Sequence, residues 1–497
     1  MALERFCCTV CGYLHIGGAL PDCCPVCGAT PDLFEAAPAP PPAAREAPTS
    51  WRCMNCDYVH DGAAPPDCCP VCGVGPDQFE PIAAEKPLDA NRALAGAIVV
   101  IGGGIAGLSA AEAARKASPQ ASVTLVCQEE PLPYYRLNLT RYLAGDIKAS
   151  ELPIHPQAWY AEQRISVLQG TEVTALNRAA GSVSLKGHPD LHYDKLILAM
   201  GAHPSVPPIP GADKKSVVTL RTCLDAETIL RQCRPGTSCV VIGGGVLGLE
   251  AAAALARREV RVTLMEGFEW LLPRQLNQAA GERIAAQALA LGIRLVCSAT
   301  VKELAGEKVV NGVLLESGEV VPADMVIIST GVRSNSYLAR KAGLEVNNGV
   351  VVDQHLRSSD PDIYAAGDLA EHLGMVYGTW APSQFQGTIA GMNAGGGDAA
   401  SFSGIPRSNS LKVLGVDLFS IGLVHPDDAS YRVFEEENGH YQQFIFRDSH
   451  LVGAILVGDT SIAPALKKLI ETNASCSELL AGAALASEIH AGIAALA

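Results

Sequence analysis

The chain has 497 residues, 48% of them hydrophobic, which is enough for several domains with large cores. Its net charge of −15 argues against nucleic acid or an anionic membrane surface as the main partner, because both attract basic proteins. The start of the chain lacks the apolar core of a secretory signal, so a cytoplasmic location is expected. Residues 93–111 form an uncharged run, but its spaced glycines indicate a turn rather than a membrane span.

A cysteine-rich unit occurs twice at the start of the chain. Of the 17 cysteines, 11 lie within residues 1–72, and residues 8–35 align with residues 53–80 without a gap. Each unit reads C-x2-C-x12-C-x2-C, which offers four thiolates to one tetrahedral zinc or iron ion. Arg52 precedes the first cysteine of the second copy, so Cys8 rather than Cys7 is the expected ligand in the first. The predicted metal ligands are Cys8, Cys11, Cys24, Cys27, Cys53, Cys56, Cys69 and Cys72.

The repeated unit resembles the rubredoxin-like domain of the rubrerythrin type. The residues that carry the resemblance are C-x-x-C-G-Y at 8–13, C-P-V-C-G at 24–28 and D-x-F-E at 32–35. The resemblance implies one iron ion per unit, which transfers one electron at a time. Two alternatives stay open: zinc ribbons that act as structural or docking modules, and redox sensing by the additional thiols of Cys23 and Cys68.

Two linkers, residues 37–50 and 82–96, separate the units from each other and from the remainder of the chain. The first is rich in Pro and Ala and predicts a semi-rigid spacer. Residues 1–85 carry 11 acidic and 3 basic side chains, a net charge of −8. Residues 1–85 therefore either dock on a basic surface or only increase the solubility of the protein.

A glycine-rich turn between a strand and an alanine-rich helix also occurs twice. The spacing G-x-G-x-x-G allows a tight turn, the approach of a pyrophosphate and close packing of helix on strand. An acid after the following strand is expected to bind a ribose hydroxyl pair; the candidates are Glu129 or Glu130 in the first copy and Glu266 in the second. The predicted nucleotide-binding glycines are Gly102, Gly104, Gly107, Gly243, Gly245 and Gly248.

Residues 97–400 resemble the pyridine nucleotide–disulfide oxidoreductase superfamily, the flavoproteins with two dinucleotide-binding domains. The motifs that carry this resemblance are PYYRLNLTRYL at 133–143, LILAMGA at 196–202, VIISTGVRSN at 326–335 and DIYAAGD at 362–368. The resemblance implies that the first glycine turn holds FAD and the second holds a nicotinamide cofactor. NADH is preferred over NADPH, because the Glu266 carboxylate would repel a 2′-phosphate.

The same resemblance assigns roles to four further residues. Asp368 would bind the ribitol chain of FAD, and Arg136 would lie near the flavin. Arg141 takes the place of a lysine that relatives carry. Glu250 would face the nicotinamide pocket, with a charge on the helix surface as the alternative.

The segment beside the expected flavin lacks the cysteine pair of the disulfide reductases. Residues 128–238 contain only Cys223 and Cys233, both near the second glycine turn. The flavin is therefore expected to pass electrons directly to an external acceptor. Residues 379–397 and 408–422 resemble the subgroup that includes NADH:rubredoxin reductases and the flavoprotein part of NADH-nitrite reductases. The first of these segments predicts a helix whose N-terminal end faces the flavin and stabilises negative charge there.

The sequence thus predicts two small four-cysteine metal domains, an α/β flavoprotein with FAD- and NAD-binding Rossmann-like domains, and a small α+β C-terminal domain suited to packing or homodimer contact. The predicted activity passes electrons from NADH through FAD to two Fe(Cys)4 centres. A downstream rubrerythrin-, flavodiiron- or superoxide-reductase-like protein would accept them. The alternative is a nitrite-reductase-like diaphorase with Zn(Cys)4 ribbons. The predicted segments are 1–36, 37–50, 51–81, 82–96, 97–212 with 332–400 for FAD, 213–331 for NAD(H), and 401–497.

Overall fold

The computed structural model describes residues 4–8, 14–17 and 34–36 by their backbone, and then residues 50–54, 58–70, 74–82, 96–398, 400–405 and 408–495. The chain divides into two compact parts, residues 1–49 and residues 50–497. Among the described residues, no helix is long and apolar enough to cross a membrane. The uncharged run noted above contains instead a strand, a turn and the start of a helix.

The first unit contains a three-stranded antiparallel sheet in which the first strand is central. Cys8 ends that strand and lies opposite Phe34. The other three predicted ligands of this unit, Cys11, Cys24 and Cys27, lie outside the described residues. The strands are β1 (Glu4–Cys8), β2 (Leu14–Gly17) and β3 (Phe34–Ala36).

The second cysteine-rich copy lies within residues 50–497 and forms a sheet with the same strand order. Cys53 lies opposite Phe79, at the register that the 45-residue offset predicts from Cys8 and Phe34. The repeat in sequence is therefore a repeat in backbone topology. The strands are β4 (Ser50–Cys53), β5 (Val59–Asp61) and β6 (Phe79–Ile82).

The first dinucleotide-binding domain is built on a five-stranded parallel sheet with the order β25-β13-β7-β8-β9. Its strands are β-branched and aliphatic runs that are largely buried on both faces, as parallel strands covered by helices are. The elements up to the second domain are β7 (Ala97–Ile101), α1 (Ile105–Ala117), β8 (Ser122–Val126), α2 (Leu139–Ala144), α3 (Gln157–Glu162), β9 (Ile165–Leu168), β10 (Val173–Asn177), β11 (Ser182–Leu185), β12 (Leu191–His192), β13 (Lys195–Leu198) and β14 (Ala202–Pro204).

The second dinucleotide-binding domain repeats this design with the strand order β15-β22-β16-β17-β18. Between β18 and β22 the chain forms a small antiparallel sheet of three strands, β19, β20 and β21. The elements are β15 (Val217–Val218), α4 (Cys223–Gln232), β16 (Ser238–Ile242), α5 (Val246–Ala256), β17 (Arg261–Met265), α6 (Gln278–Ala290), β18 (Arg294–Val296), β19 (Val301–Ala305), β20 (Gly312–Leu315), β21 (Val320–Pro322) and β22 (Met325–Ile328).

The chain then returns to the first domain, where β25 completes the parallel sheet beside β13. The long helix α8 packs against α1 along a row of small residues. A Cβ atom added to Gly387 or Gly391 would lie 2.2 Å from the carbonyl oxygen of Ala106 or Ala110, so only glycine allows this approach. The returning elements are β23 (Val332–Ser334), α7 (Tyr337–Lys341), β24 (Val350–Val352), β25 (Ile363–Ala365), β26 (Ala370–His372) and α8 (Trp380–Gly396).

The C-terminal domain packs three helices on a five-stranded antiparallel sheet with the order β27-β28-β31-β30-β29. The last two helices, α10 and α11, are separate. The break occurs where the Glu488 carboxylate accepts hydrogen bonds from the backbone N–H groups of Ala484 and Leu485 and so caps a new helix. The elements are β27 (Ser408–Val413), β28 (Val416–Gly422), β29 (Arg432–Asn438), β30 (His440–Arg447), β31 (His450–Val457), α9 (Ala463–Glu471), α10 (Ser477–Gly482) and α11 (Ala486–Ala494).

Candidate functional site

The two glycine turns have matching geometry. Gly102 and Gly243 follow β7 and β16 with φ angles of +121° and +115°, which side chains rarely adopt. A Cβ atom on Gly107 would lie 1.9 Å from the oxygen of Gly102, and Gly248 stands in the same relation to Gly243. Glycine is therefore required at these four positions for the fold itself.

Gly104 and Gly245 differ from the other glycines because space surrounds them. Each is the N-cap of its helix, α1 or α5, and a Cβ atom added to either would meet no atom within 4 Å. The free N–H groups of the helix start point into this space, and the helix dipole favours negative charge there. Both turns thus form cradles that fit a pyrophosphate.

Glu266 lies directly beside the second cradle. It follows β17 and is 8% exposed. Its Oε2 accepts a hydrogen bond of 2.7 Å from the backbone N–H of Gly244, and its Oε1 accepts one of 3.0 Å from Phe268. Each carboxylate oxygen keeps a further lone pair that a ribose hydroxyl could reach.

The first cradle has Cys127 at the place that Glu266 takes in the second. A Cβ atom on Gly103 would lie 2.6 Å from the Cys127 sulfur. The predicted Glu129 lies two residues further on, where Oε2 accepts a hydrogen bond of 2.7 Å from the Tyr134 hydroxyl and Oε1 pairs with Arg136 at 2.6 Å. Its alternative, Glu130, is exposed.

Arg136 belongs to a chain of polar contacts that ends at Asp368. Its guanidinium donates to the backbone oxygen of Arg221, whose own guanidinium pairs with Asp368 at 2.9 Å. The hydroxyl of Ser383, in the first turn of α8, lies 3.3 Å from the other oxygen of Asp368. The structure thus brings Arg136 and Asp368 together through Arg221, a residue that the sequence motifs did not single out.

Two buried donors in the first two turns of α8 lack partners among the described residues. The Trp380 indole N–H is one of them, and the Gln386 amide nitrogen is the other. The Gln386 oxygen is engaged, because it accepts a hydrogen bond of 2.9 Å from the N–H of Gly367. Buried donors are rarely left unpaired in folded proteins, so this region is suited to a bound group with several acceptor atoms.

Glu250 lies on α5 and meets α2. The Thr140 hydroxyl donates a 2.9 Å hydrogen bond to its carboxylate. Burial raises the pKa of Glu250 to about 7, and the hydrogen bond from Thr140 offsets part of that rise. Arg141 does not take part: it is exposed, and its guanidinium lies 3.5 Å from the side-chain oxygen of Asn138.

Two buried thiols can be compared with those of the disulfide reductases: Cys127 beside the first cradle, and Cys223, whose backbone N–H donates to the Tyr134 hydroxyl. Burial raises the pKa of Cys127 to about 12 and that of Cys223 to about 11. Neither is a thiolate near neutral pH, and the thiolate is the reactive form. These two side chains are therefore unsuited to relay electrons by thiol–disulfide exchange.

Two of the predicted ligands of the second cysteine unit, Cys53 and Cys69, are described, and both are fully buried. The N–H of Cys53 donates to the oxygen of Tyr58, and the N–H of Cys69 donates to the oxygen of Val74, each at 2.8 Å and five residues apart. The two cysteine loops thus share one backbone design. Cys56 and Cys72 lie outside the described residues, whereas the additional Cys68 is exposed.

Three known families match different parts of the chain. Residues 96–387 match the pyridine nucleotide-disulphide oxidoreductase family. The chain belongs to that family. Residues 408–474 match the rubredoxin NAD+ reductase C-terminal domain, and residues 6–35 and 51–80 each match the rubrerythrin, rubredoxin-like domain. The predicted fold class and resemblance are confirmed, and the family supports FAD and NAD(H) as cofactors.

Three similar proteins illustrate the range of the family. A nitrite reductase [NAD(P)H] of Bacillus subtilis is 32% identical over 77% of this chain and 48% of its own length, so the chain spans about half of that relative. A rubredoxin-NAD(+) reductase of Pseudomonas putida is 35% identical over 57% of this chain and 74% of its own length. The crystal structure of NADH:rubredoxin oxidoreductase from Clostridium acetobutylicum superimposes with a TM-score of 0.68 at 27% identity, covering 80% of this chain and 99% of that one.

Proposed function

We propose that this protein is an NADH-dependent flavoprotein reductase that passes electrons through FAD to Fe(Cys)4 centres in its own rubredoxin-like domains. One observation carries the proposal: two rubredoxin-like domains precede a reductase of the pyridine nucleotide family in a single chain. The tether raises the concentration of the acceptor near the flavin. A downstream redox protein of the rubrerythrin, flavodiiron or superoxide-reductase type would then receive the electrons.

The residues of the first cradle suit FAD. Bound FAD would supply the conversion of one hydride into two single electrons. The N-terminus of α1 at Gly104 would hold the pyrophosphate, and Asp368 would bind the ribitol hydroxyls. The unpaired Trp380 and Gln386 donors and the N-terminus of α8 would face the ring system.

The residues of the second cradle suit NADH. Gly245 and the N-terminus of α5 would hold its pyrophosphate, and Glu266 would accept the ribose hydroxyls. A 2′-phosphate at this position would meet a carboxylate whose two oxygens are already oriented by backbone N–H groups. NADH is therefore preferred over NADPH.

The metal and flavin content tests this function directly. Protein purified in air should contain close to two iron ions per FAD, and its ferric absorption should bleach when NADH is added without oxygen. Two zinc ions per chain, with no change in the metal spectrum, would refute the proposal.

The match to nitrite reductases favours one second candidate, a diaphorase in which the four-cysteine units are zinc-filled docking modules. Such a protein would reduce ferricyanide with NADH at a full rate whether or not the four-cysteine units hold metal. The two candidates therefore differ in whether replacing Cys69 by Ser changes electron flow to a one-electron protein acceptor.

A further inference from the structure

The second cysteine-rich unit, residues 51–80, contacts the flavoprotein through specific side chains. The hydroxyls of Tyr58 and Tyr135 lie 3.4 Å apart. The amide of Gln384, in the second turn of α8, donates a 3.3 Å hydrogen bond to the backbone oxygen of Val59. Tyr58 is only 9% exposed, so its side chain is shielded from solvent where it meets Tyr135.

A continuous series of side-chain contacts links the buried cysteines to Trp380, the first residue of α8. Cys53, Tyr58, Cys69 and Phe79 form one apolar cluster, and Tyr135 packs against it. The Tyr135 ring also stacks on Trp380, with ring centroids 5.6 Å apart and an angle of 24° between the planes.

Tyr135 also connects to the groups expected around FAD. It precedes Arg136 in the chain, and Arg136 reaches Asp368 through Arg221. Trp380 begins the helix that carries Ser383, which contacts Asp368. The interface of the second unit therefore includes Tyr135 and Trp380, which lie close in the chain to Arg136 and Ser383, the residues that connect to Asp368.

We propose that the second rubredoxin-like unit docks on the flavoprotein through Tyr58, Tyr135 and Gln384, and that this unit, rather than the first, takes electrons directly from the flavin. The inference rests on the proposed function and adds the order of electron flow. The centre of the first rubredoxin-like domain is reduced only after that of the second. For each turnover, NADH and two ferric ions give NAD⁺, one proton and two ferrous ions.

The connectivity of the chain supports this order. A single linker, residues 82–96, ties the second unit to β7, which leads directly into the first cradle. The first unit is joined to β7 only through residues 37–50, the second unit and that same linker. The shorter tether gives the second unit the higher effective concentration at the interface. Electron transfer slows steeply with distance, so the unit held in contact accepts first.

Hydrogen exchange of the full-length, FAD-loaded protein without NADH tests the docking. Tyr135→Ala removes the ring between Tyr58 and Trp380, whereas the control Tyr337→Ala removes a tyrosine on α7 that is 71% exposed. Peptides from residues 58–62 and 380–384 should exchange about tenfold faster in Tyr135→Ala, because the tether remains but the contact is lost. Unchanged exchange in Tyr135→Ala, with FAD retained, would overturn the docking proposal.

Rapid anaerobic mixing with NADH tests the order. Cys24→Ser disables the first unit and Cys69→Ser disables its counterpart in the second. The remaining centre should bleach at the wild-type rate in Cys24→Ser and about tenfold more slowly in Cys69→Ser, where electrons must reach the first unit without the second. Equal rates in the two variants would overturn the order while leaving the function intact. If the wild-type centres do not bleach at all, the proposed function itself fails.

Discussion

Replacing Glu250 by Gln should change how the stability of this protein depends on pH. The carboxyl is largely buried between α5 and α2, where it accepts a hydrogen bond from Thr140. Burial raises its pKa from an ordinary value of 4.5 to about 7. In the unfolded chain the group loses its proton near its ordinary pKa, so between these two values the folded chain holds a proton that the unfolded chain does not.

The sign of the effect follows from proton binding. Stability falls with rising pH wherever the folded state binds more protons, so the contribution of neutral Glu250 is complete below pH 4.5 and lost by the time the pH passes 7. The shift corresponds to about 3–4 kcal/mol when each pKa unit is worth about 1.4 kcal/mol. Gln keeps the shape and can still accept from Thr140, but it cannot ionise.

Thermal unfolding of the FAD-loaded protein, followed from pH 5 to pH 9, measures this difference. Glu250→Gln should match the wild type near pH 5 and exceed its midpoint by several degrees near pH 9. Glu227→Gln, on the exposed side of α4, serves as the control and should track the wild type throughout. If Glu250→Gln and the wild type keep a constant difference across this range, Glu250 does not titrate as the structure indicates.

Three further predictions have distinct expected outcomes. Gly107→Ala places a Cβ atom 1.9 Å from the Gly102 oxygen and should prevent stable folding. Gly104→Ala should fold normally by circular dichroism and lose FAD, because only the pyrophosphate space is filled. A folded Gly104→Ala with wild-type FAD content would contradict the cradle assignment. Glu266→Ala should lower the preference for NADH over NADPH in kcat/KM by about tenfold or more, and an unchanged ratio would refute the role of Glu266. Arg221→Ala removes the partner of Asp368 and should weaken FAD binding by about tenfold in a fluorescence titration, with partial recovery in Arg221→Lys.

The fold was predictable from sequence because its signals are local and doubled. Each glycine turn lies between a strand and a helix, and the positions that must be glycine are those where a Cβ atom would strike the backbone, such as Gly107 and Gly248. The cysteine repeat likewise predicts equal strand registers at Cys8 and Cys53, which the structure has. Such patterns can be recognised in a single sequence because each lies within about thirty consecutive residues.

The site was less predictable because its contacts join distant segments. Arg221 meets Asp368 across 147 residues of sequence, and no spacing rule links them. The motif residue Arg141 is exposed, while its neighbour Thr140 makes the contact with Glu250. A one-residue difference on a short helix turns a side chain by about 100°, so a motif match alone does not determine which residue faces the site.

The position of Cys127 shows why the doubled turns are not equivalent in chemistry. At the same place the second turn has Glu266, held by the N–H of Gly244, whereas the first has a thiol whose pKa burial raises to about 12. A thiol in that state does not attack a disulfide, and the acid that the first turn lacks is found two residues later, already paired with Arg136. In the proposed function, electrons would then leave the first domain by another route. Of the described segments that border Asp368, the start of α8 carries Trp380, and the Trp380 ring stacks on Tyr135, which packs against the second cysteine unit.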